Sequence, residues 1–171
     1  TSEVDFNAFG LDLTAIQTAA NSNGIYRGAS GAYGYYVDFH ANGTLTINKV
    51  TAVYNPVNGF NGSAWVSEAN DKKTWSALSG YTNIAIPSNG VIFLGDNVWV
   101  GGTVNGRVTV VAARLPDGSS AGADIYIQDS IRYLNRDGTN TLGLIAQQDV
   151  LIPLRSDNVL TIDGALLAMH G

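Results

Sequence analysis

A serine in a Gly-x-Ser-x-Gly frame, followed by an acid and a histidine, is the order used by one class of acyl-transfer enzymes. Gly118-Ser119-Ser120-Ala121-Gly122 supplies the frame, with Asp124 and His170 after it. Such a serine needs a strand before it and a helix after it. Here the turn formers Pro116-Asp117-Gly118 precede, and the strand-like Ile125-Tyr126-Ile127 comes next. The segment reads as a Gly/Ser-rich loop, and no catalytic residue is assigned.

Carboxylates offer a second chemistry. Asp96 and Asp129 fall at matching turn positions of two similar segments, with Gln148 and Gly164 next in the same column. Stacked acids can hold a hard cation such as Ca²⁺, or serve a polysaccharide lyase if a basic residue such as Arg132 stands over the sugar. Aspartate is also a preferred turn residue, because its side chain bonds nearby backbone N–H groups. The row breaks after two acids, so Asp96 and Asp129 are weak cation candidates. The two histidines have no partner at metal-ligand spacing, and no cofactor pattern is present.

Aromatic rings are the third resource. Trp65, Trp75 and Tyr81 lie in or near a turn-rich region, where flat rings stack on sugars or anchor a partner protein. The competing expectation for Trp65 and Trp75 is that their loops fold back onto the body. Trp99 lies between Val98 and Val100 and points to the opposite face, either inward or over a neighbouring loop.

These residues sit on a chain of 171 residues with net charge −5, enough for one domain with a real core. Charged residues make up 13%, against a usual share of about a quarter, and no basic run occurs. Nucleic acid and anionic membrane surfaces are therefore poor partners. Cysteine is absent, which excludes disulfides and thiolate metal sites. No apolar run approaches the length of a membrane span.

The positioning elements come in chain order. Leu13, Ile16, Ala19 and Ala20 recur at helical spacing between Asp12, an N-cap, and Gly24, a stop. A helix over 11–23 is expected, capping one end of a repeat stack. Tyr35–His40 alternates strictly, Asn42-Gly43 turns the chain, and strands at Thr44–Asn48 and Thr51–Tyr54 complete a lead-in hairpin over 35–54. Asn55–Gly80, with its charge cluster Glu68–Lys73, reads as a long surface excursion with room for a helical turn. Ile84-Ala85-Ile86-Pro87 brings the chain back.

From residue 84 onward a cassette repeats about every 16–20 residues: three apolar residues, a short turn, three apolar residues. Ile92-Phe93-Leu94-Gly95-Asp96-Asn97-Val98-Trp99-Val100 aligns with Ile125–Tyr133, Leu144–Ile152 and, more loosely, Leu160–Ala168. Loops at Leu115–Gly122 and Asn135–Thr141 interrupt it. The expectation is an all-β right-handed parallel β-helix, a solenoid with main coils over 84–171. Ile92, Ile125, Leu144 and Leu160 would form one interior ladder, and Val98, Ile131, Val150 and Leu166 another. An antiparallel sandwich tolerates the same short strands but does not require the cassettes to align. The final apolar run, Leu166–Met169, would leave an open coil end, a surface for self-association or a partner.

The order of motifs also carries a resemblance. Gly24-Ile25-Tyr26 comes after the helix, then Gly34 to Phe39, Ile86 to Phe93, Val98 to Thr109, Leu142 to Ala146 and Ile162 to Ala168. In this order the chain resembles the β-helical ectodomain of PilX-type, type IV pilus-associated proteins of bacteria. The resemblance implies a fold and an extracellular, cell-surface setting, and it transfers no active site. It also implies an excised part of a longer protein with a hydrophobic anchor helix. The functional expectation is a non-catalytic structural or adhesive module contacting other pilus or surface proteins, or surface glycans. The alternative is a carbohydrate-binding or lyase-like protein acting on an acidic polysaccharide.

Overall fold

Asp12 starts the one α-helix among the described residues: its carboxylate accepts from the Thr14 and Ala15 N–H groups at 2.9 and 3.2 Å. The helix, α1, runs Leu13–Asn23 and stops where the Gly24 N–H donates to the Ala20 carbonyl. The computed structural model describes residues 12–60, 62–115 and 122–169. Ser119, Ser120 and His170 of the triad order lie outside the described residues.

The strands, in chain order, are β1 (Ile25–Arg27), β2 (Gly34–Phe39), β3 (Thr44–Val53), β4 (Val57–Phe60), β5 (Trp65–Glu68), β6 (Lys72–Ala77), β7 (Ile84–Ala85) and β8 (Val91–Leu94). They continue as β9 (Val98–Val104), β10 (Arg107–Ala112), β11 (Ile125–Tyr126), β12 (Ile131–Tyr133), β13 (Thr141–Ala146), β14 (Val150–Leu151) and β15 (Ala165–Ala168). One sheet is all parallel, in the order β1-β8-β10-β13-β15. A second is mixed, in the order β14-β11-β9-β2-β3-β6, with β12 also on β9 and β7 on β3. A third is the separate antiparallel hairpin β4–β5.

Between β8 and β15 the chain passes back and forth between the two large sheets. Ile92, Leu94, Val110 and Leu144 from the first meet Val98, Val100, Ile125 and Ile131 from the second in one apolar core. Each strand's alternate residues face outward.

This corrects the expected right-handed parallel β-helix. The second sheet is mixed, because β3 runs antiparallel to β2 and β6 antiparallel to β3, and no closed solenoid forms. The ladders also fail. Ile92 pairs with Val110 in the first sheet, whereas Ile125 pairs with Val98 in the second. Leu166 stands beside Leu144, not in a column with Val98. Strands of both sheets are short, β-branched and bounded by the same turn residues, so an alignment of cassettes cannot tell which sheet a run belongs to.

Two further expectations change. The helix does not close the end of a stack. Its buried Leu13 and Ala20 pack on Phe93, Val111 and Ala113, which face outward from the parallel sheet. Among its described residues the region 55–80 carries strands and no helical turn, and β6 joins the mixed sheet beside β3. The lead-in hairpin turns at Gly43, whose φ of +84° suits glycine, with β3 unbroken from Thr44 to Val53.

Candidate functional site

Alternation along β2 sends Tyr35, Val37 and Phe39 into the core and leaves Tyr36 and Asp38 on the outer face. In β9, Val98 and Val100 go inward while Trp99 and Gly101 go outward. Register then sets Tyr36 beside Trp99, Asp38 beside Gly101, and Tyr126 on the other side of Trp99. The Trp99 and Tyr126 rings lie 4.7 Å apart, centroid to centroid. The outer face of the mixed sheet thus carries a second apolar cluster of Tyr36, Val50, Trp99 and Tyr126.

The segment Asn70–Lys72 crosses this row and seals it. The Trp99 indole N–H donates to the Asn70 carbonyl at 2.8 Å, which settles its orientation as outward and under a neighbouring loop. The Lys72 N–H donates to the Gln128 side-chain oxygen at 2.8 Å. Asp71 accepts from the Arg155 backbone N–H at 2.7 Å and from its guanidinium at 3.1 Å. The charge cluster expected on a surface loop is in part interior: Asp71 and Lys72 are 2% and 3% exposed. Burying charges costs free energy unless they are paired, and both are paired.

The Lys72 ammonium reaches Asp129 at 2.5 Å. It also lies 4.5 Å above the Tyr36 ring and 5.4 Å from that of Trp75. Gly101 makes this possible. A Cβ there would stand 2.9 Å from the Asp129 Cβ and 3.3 Å from the Tyr36 hydroxyl oxygen. Asp38 stands on the neighbouring strand with its carboxyl raised above the usual carboxylate range, mainly by burial and further by the Asp129 charge, although His40 opposes. Burial, then the Asp129 and Asp38 charges, push the Tyr36 phenol far up.

Asp96 lies elsewhere. Its carboxylate accepts from the Ser30 hydroxyl and N–H, the Asn97 N–H and the Arg114 guanidinium, at 2.7, 2.9, 2.9 and 2.6 Å. Burial alone would raise its pKa, but the bonds from Ser30, Arg114 and Asn97 together lower it. A carboxylate lowered in the folded state stabilises the fold above about pH 3.9, its unfolded value, and loses that contribution as pH falls through the folded value. Asp96→Asn is expected to flatten the acid limb of the stability curve, read by chemical denaturation at pH 6 and pH 3. An unchanged limb would remove Asp96 from this role.

Asp96 and Asp129 therefore share no column, because Asp129 lies over Gly101 while Asp96 lies beside Ser30. The polar ladder that forms instead runs through Asn97, Asp124 and Asp149. The Asp124 N–H donates to Asn97 and the Asp149 N–H to Asp124, each at 3.1 Å. No group of three or more His, Cys, Asp or Glu side chains placed for a metal ion occurs among the described residues.

The three predicted aromatic residues are separated. Trp65 on β5 is 73% exposed and touches Phe60, 58% exposed, across the hairpin at 5.8 Å. Trp75 on β6 is half exposed and meets Tyr36 edge-on at 5.4 Å, belonging to the Lys72 cluster. Tyr81 packs against the main core, with the Arg27 guanidinium 5.4 Å from its ring.

One groove crosses the outer face of the parallel sheet, with a volume of about 330 Å³. Asn89, Arg107, Thr109, Thr141 and Gly143 are among its lining residues. It offers hydrogen-bond donors and one guanidinium, and none of its lining residues is a carboxylate that could act as an acid or base.

Sequence reasoning did not single out Lys72, Asp71, Gln128 or Arg155. The signal within reach was the flanking of a charge cluster by Trp65 and Trp75, beside an outward row of Tyr36 and Asp38. Fold and site together define a class: a layered β domain with a sealed polar–aromatic cluster on one face and an aromatic hairpin beside it. No family model, curated protein or solved structure matches the chain.

Proposed function

We propose that this chain is a non-catalytic adhesive module of the bacterial cell surface that meets its partner through the β4–β5 hairpin. The observation that carries this reading is the exposed Trp65–Phe60 pair on a two-stranded hairpin that joins neither large sheet. Large exposed rings side by side mark a contact surface more often than chance exposure does. Tryptophan in particular anchors interfaces and stacks on sugar rings.

The resemblance of the sequence to pilus-associated ectodomains supports an extracellular setting. Asp71, Lys72, Asp96 and Asp129 are each engaged by an oppositely charged residue, a structural use of charge. An acidic polysaccharide fits less well, since the chain carries net charge −5.

Beads coated with the chain are expected to adhere to bacterial or glycan-coated surfaces. Trp65→Ala should lower that adhesion about tenfold or more, as loss of a central tryptophan does at other interfaces. Its melting temperature should barely move, because the ring is exposed. Equal adhesion by the variant would sink the proposal.

A further inference from the structure

We propose that Lys72 and Asp129 join through their side chains in an intramolecular amide bond, with Asp38 carrying the proton between them. Three observations lead there. The Lys72 nitrogen and the Asp129 carboxylate stand 2.5 Å apart, and the lysine side chain is almost wholly buried. Its surroundings are ring faces, those of Tyr36 and Trp75. A second carboxyl, Asp38, occupies the adjacent strand opposite Gly101, the residue over which Asp129 lies.

The backbone holds both partners at this approach. Gln128, next to Asp129 in the chain, accepts from the Lys72 N–H at 2.8 Å, and its amide donates to the Lys72 carbonyl at 3.4 Å. On the other side, Asp71 is held by Arg155. Fixing two reacting groups in contact replaces an encounter in solution with an intramolecular step, a large share of the barrier to amide formation.

The step balances without an added reagent. A proton passes from the Lys72 ammonium to Asp129, leaving an amine and a carboxylic acid. The amine nitrogen attacks the Asp129 Cγ, the C–N bond forms, and a C–O bond breaks with loss of one water. Asp38 takes the second proton from nitrogen and returns it to the departing oxygen. Burial raises its carboxyl above the usual carboxylate range, the direction a group that holds and releases a proton needs. The Tyr36 hydroxyl and the Asp129 carboxylate share the space over Gly101, 3.3 and 3.2 Å from where its Cβ would stand. The bond would tie β6 to the turn between β11 and β12, closing a long loop.

The test is peptide mapping of the purified full chain, after intact-mass measurement. The expected result is a mass lighter by one water, with a branched tryptic peptide linking Lys72 to Asp129. Aspartates before glycine also lose water on their own, so the branched peptide is the deciding readout. A full sequence mass, or a lost water located at Asp117, Asp137 or Asp163, overturns the proposal. Lys72→Arg keeps the charge and should remain at full mass. Asp38→Asn, at a partly exposed position, should fold and link about a hundredfold more slowly. Linking at the parental rate would overturn the role of Asp38.

Discussion

Trp99→Ala is expected to lose about 3–5 kcal/mol of stability, the range for deleting a buried large aromatic side chain. The indole is 2% exposed, rests on Tyr126 and gives its N–H to Asn70. Removing it opens a cavity on the outer face of the mixed sheet and leaves the Asn70 carbonyl without this donor. For a chain of this length the melting temperature should fall by ~10 °C, read by calorimetry or circular dichroism. Trp99→Phe separates the two contributions. It keeps most of the ring contact and loses the hydrogen bond, so a loss of about 1 kcal/mol is expected. Hydrogen exchange adds a local readout, since the Lys72 N–H should lose protection in Trp99→Ala before the β10–β13 pairing does. If Trp99→Ala melts like the parent protein, the segment Asn70–Lys72 is not sealed by this ring.

Gly102→Ala should be worse, with a loss of about 4 kcal/mol or more, large enough that little folded protein is recovered. Gly102 sits at φ +99°, a conformation that side-chain-bearing residues rarely adopt. A Cβ there would lie 2.2 Å from the Phe39 carbonyl oxygen and 2.8 Å from the Phe39 nitrogen. Both are backbone atoms in the β2–β9 pairing, so no rotamer change relieves the clash. Gly138→Ala is the control. Gly138 also has a positive φ, +86°, but a Cβ there meets nothing within 4 Å. Its cost should be conformational alone, about 1–3 kcal/mol. Comparing the two by denaturant titration isolates the steric part. Similar losses in the two variants would mean that the strands near Gly102 can separate without much cost.

Gly102 also shows why the fold was only partly legible. Gly101-Gly102 reads in sequence as a turn between two apolar runs. In the structure β9 passes through both glycines without a break, Val98 to Val104. The first half of β9 carries β11 and the second half carries β12. Glycine is needed there for close approach and not for reversal: Gly101 makes room for Asp129 and Gly102 for Phe39. From a single sequence these uses look alike, because both call for the absence of a Cβ.

The candidate site was legible in the same uneven way. The outward row of Tyr36 and Asp38 is set by strict alternation, which also puts Trp99 on the face opposite its flanking valines; that this face is the outer one came from its bond to Asn70. The burial of Lys72 cannot be read from anything near it in sequence. It depends on Gln128, Asp129 and Tyr36, which come from separate strands and turns. Asp96 and Asp129 looked equivalent because each stands in a turn after an apolar run, yet one meets Ser30 and Arg114 and the other Lys72.

What the chain determined by itself are the features that close within a few residues. They include the Asp12 cap and Gly24 stop of the helix, the hairpin at Asn42-Gly43, the Asp137-Gly138 turn and the alternation of faces along β2. Their hydrogen bonds and φ angles are satisfied locally, so residue type is enough. Tertiary structure alone decided which sheet each short strand joins, that the helix lies on an outer face, and that Lys72 is buried against Asp129. Those outcomes depend on apolar and polar groups brought together from distant positions, and many short β-branched runs are interchangeable until the layers pack.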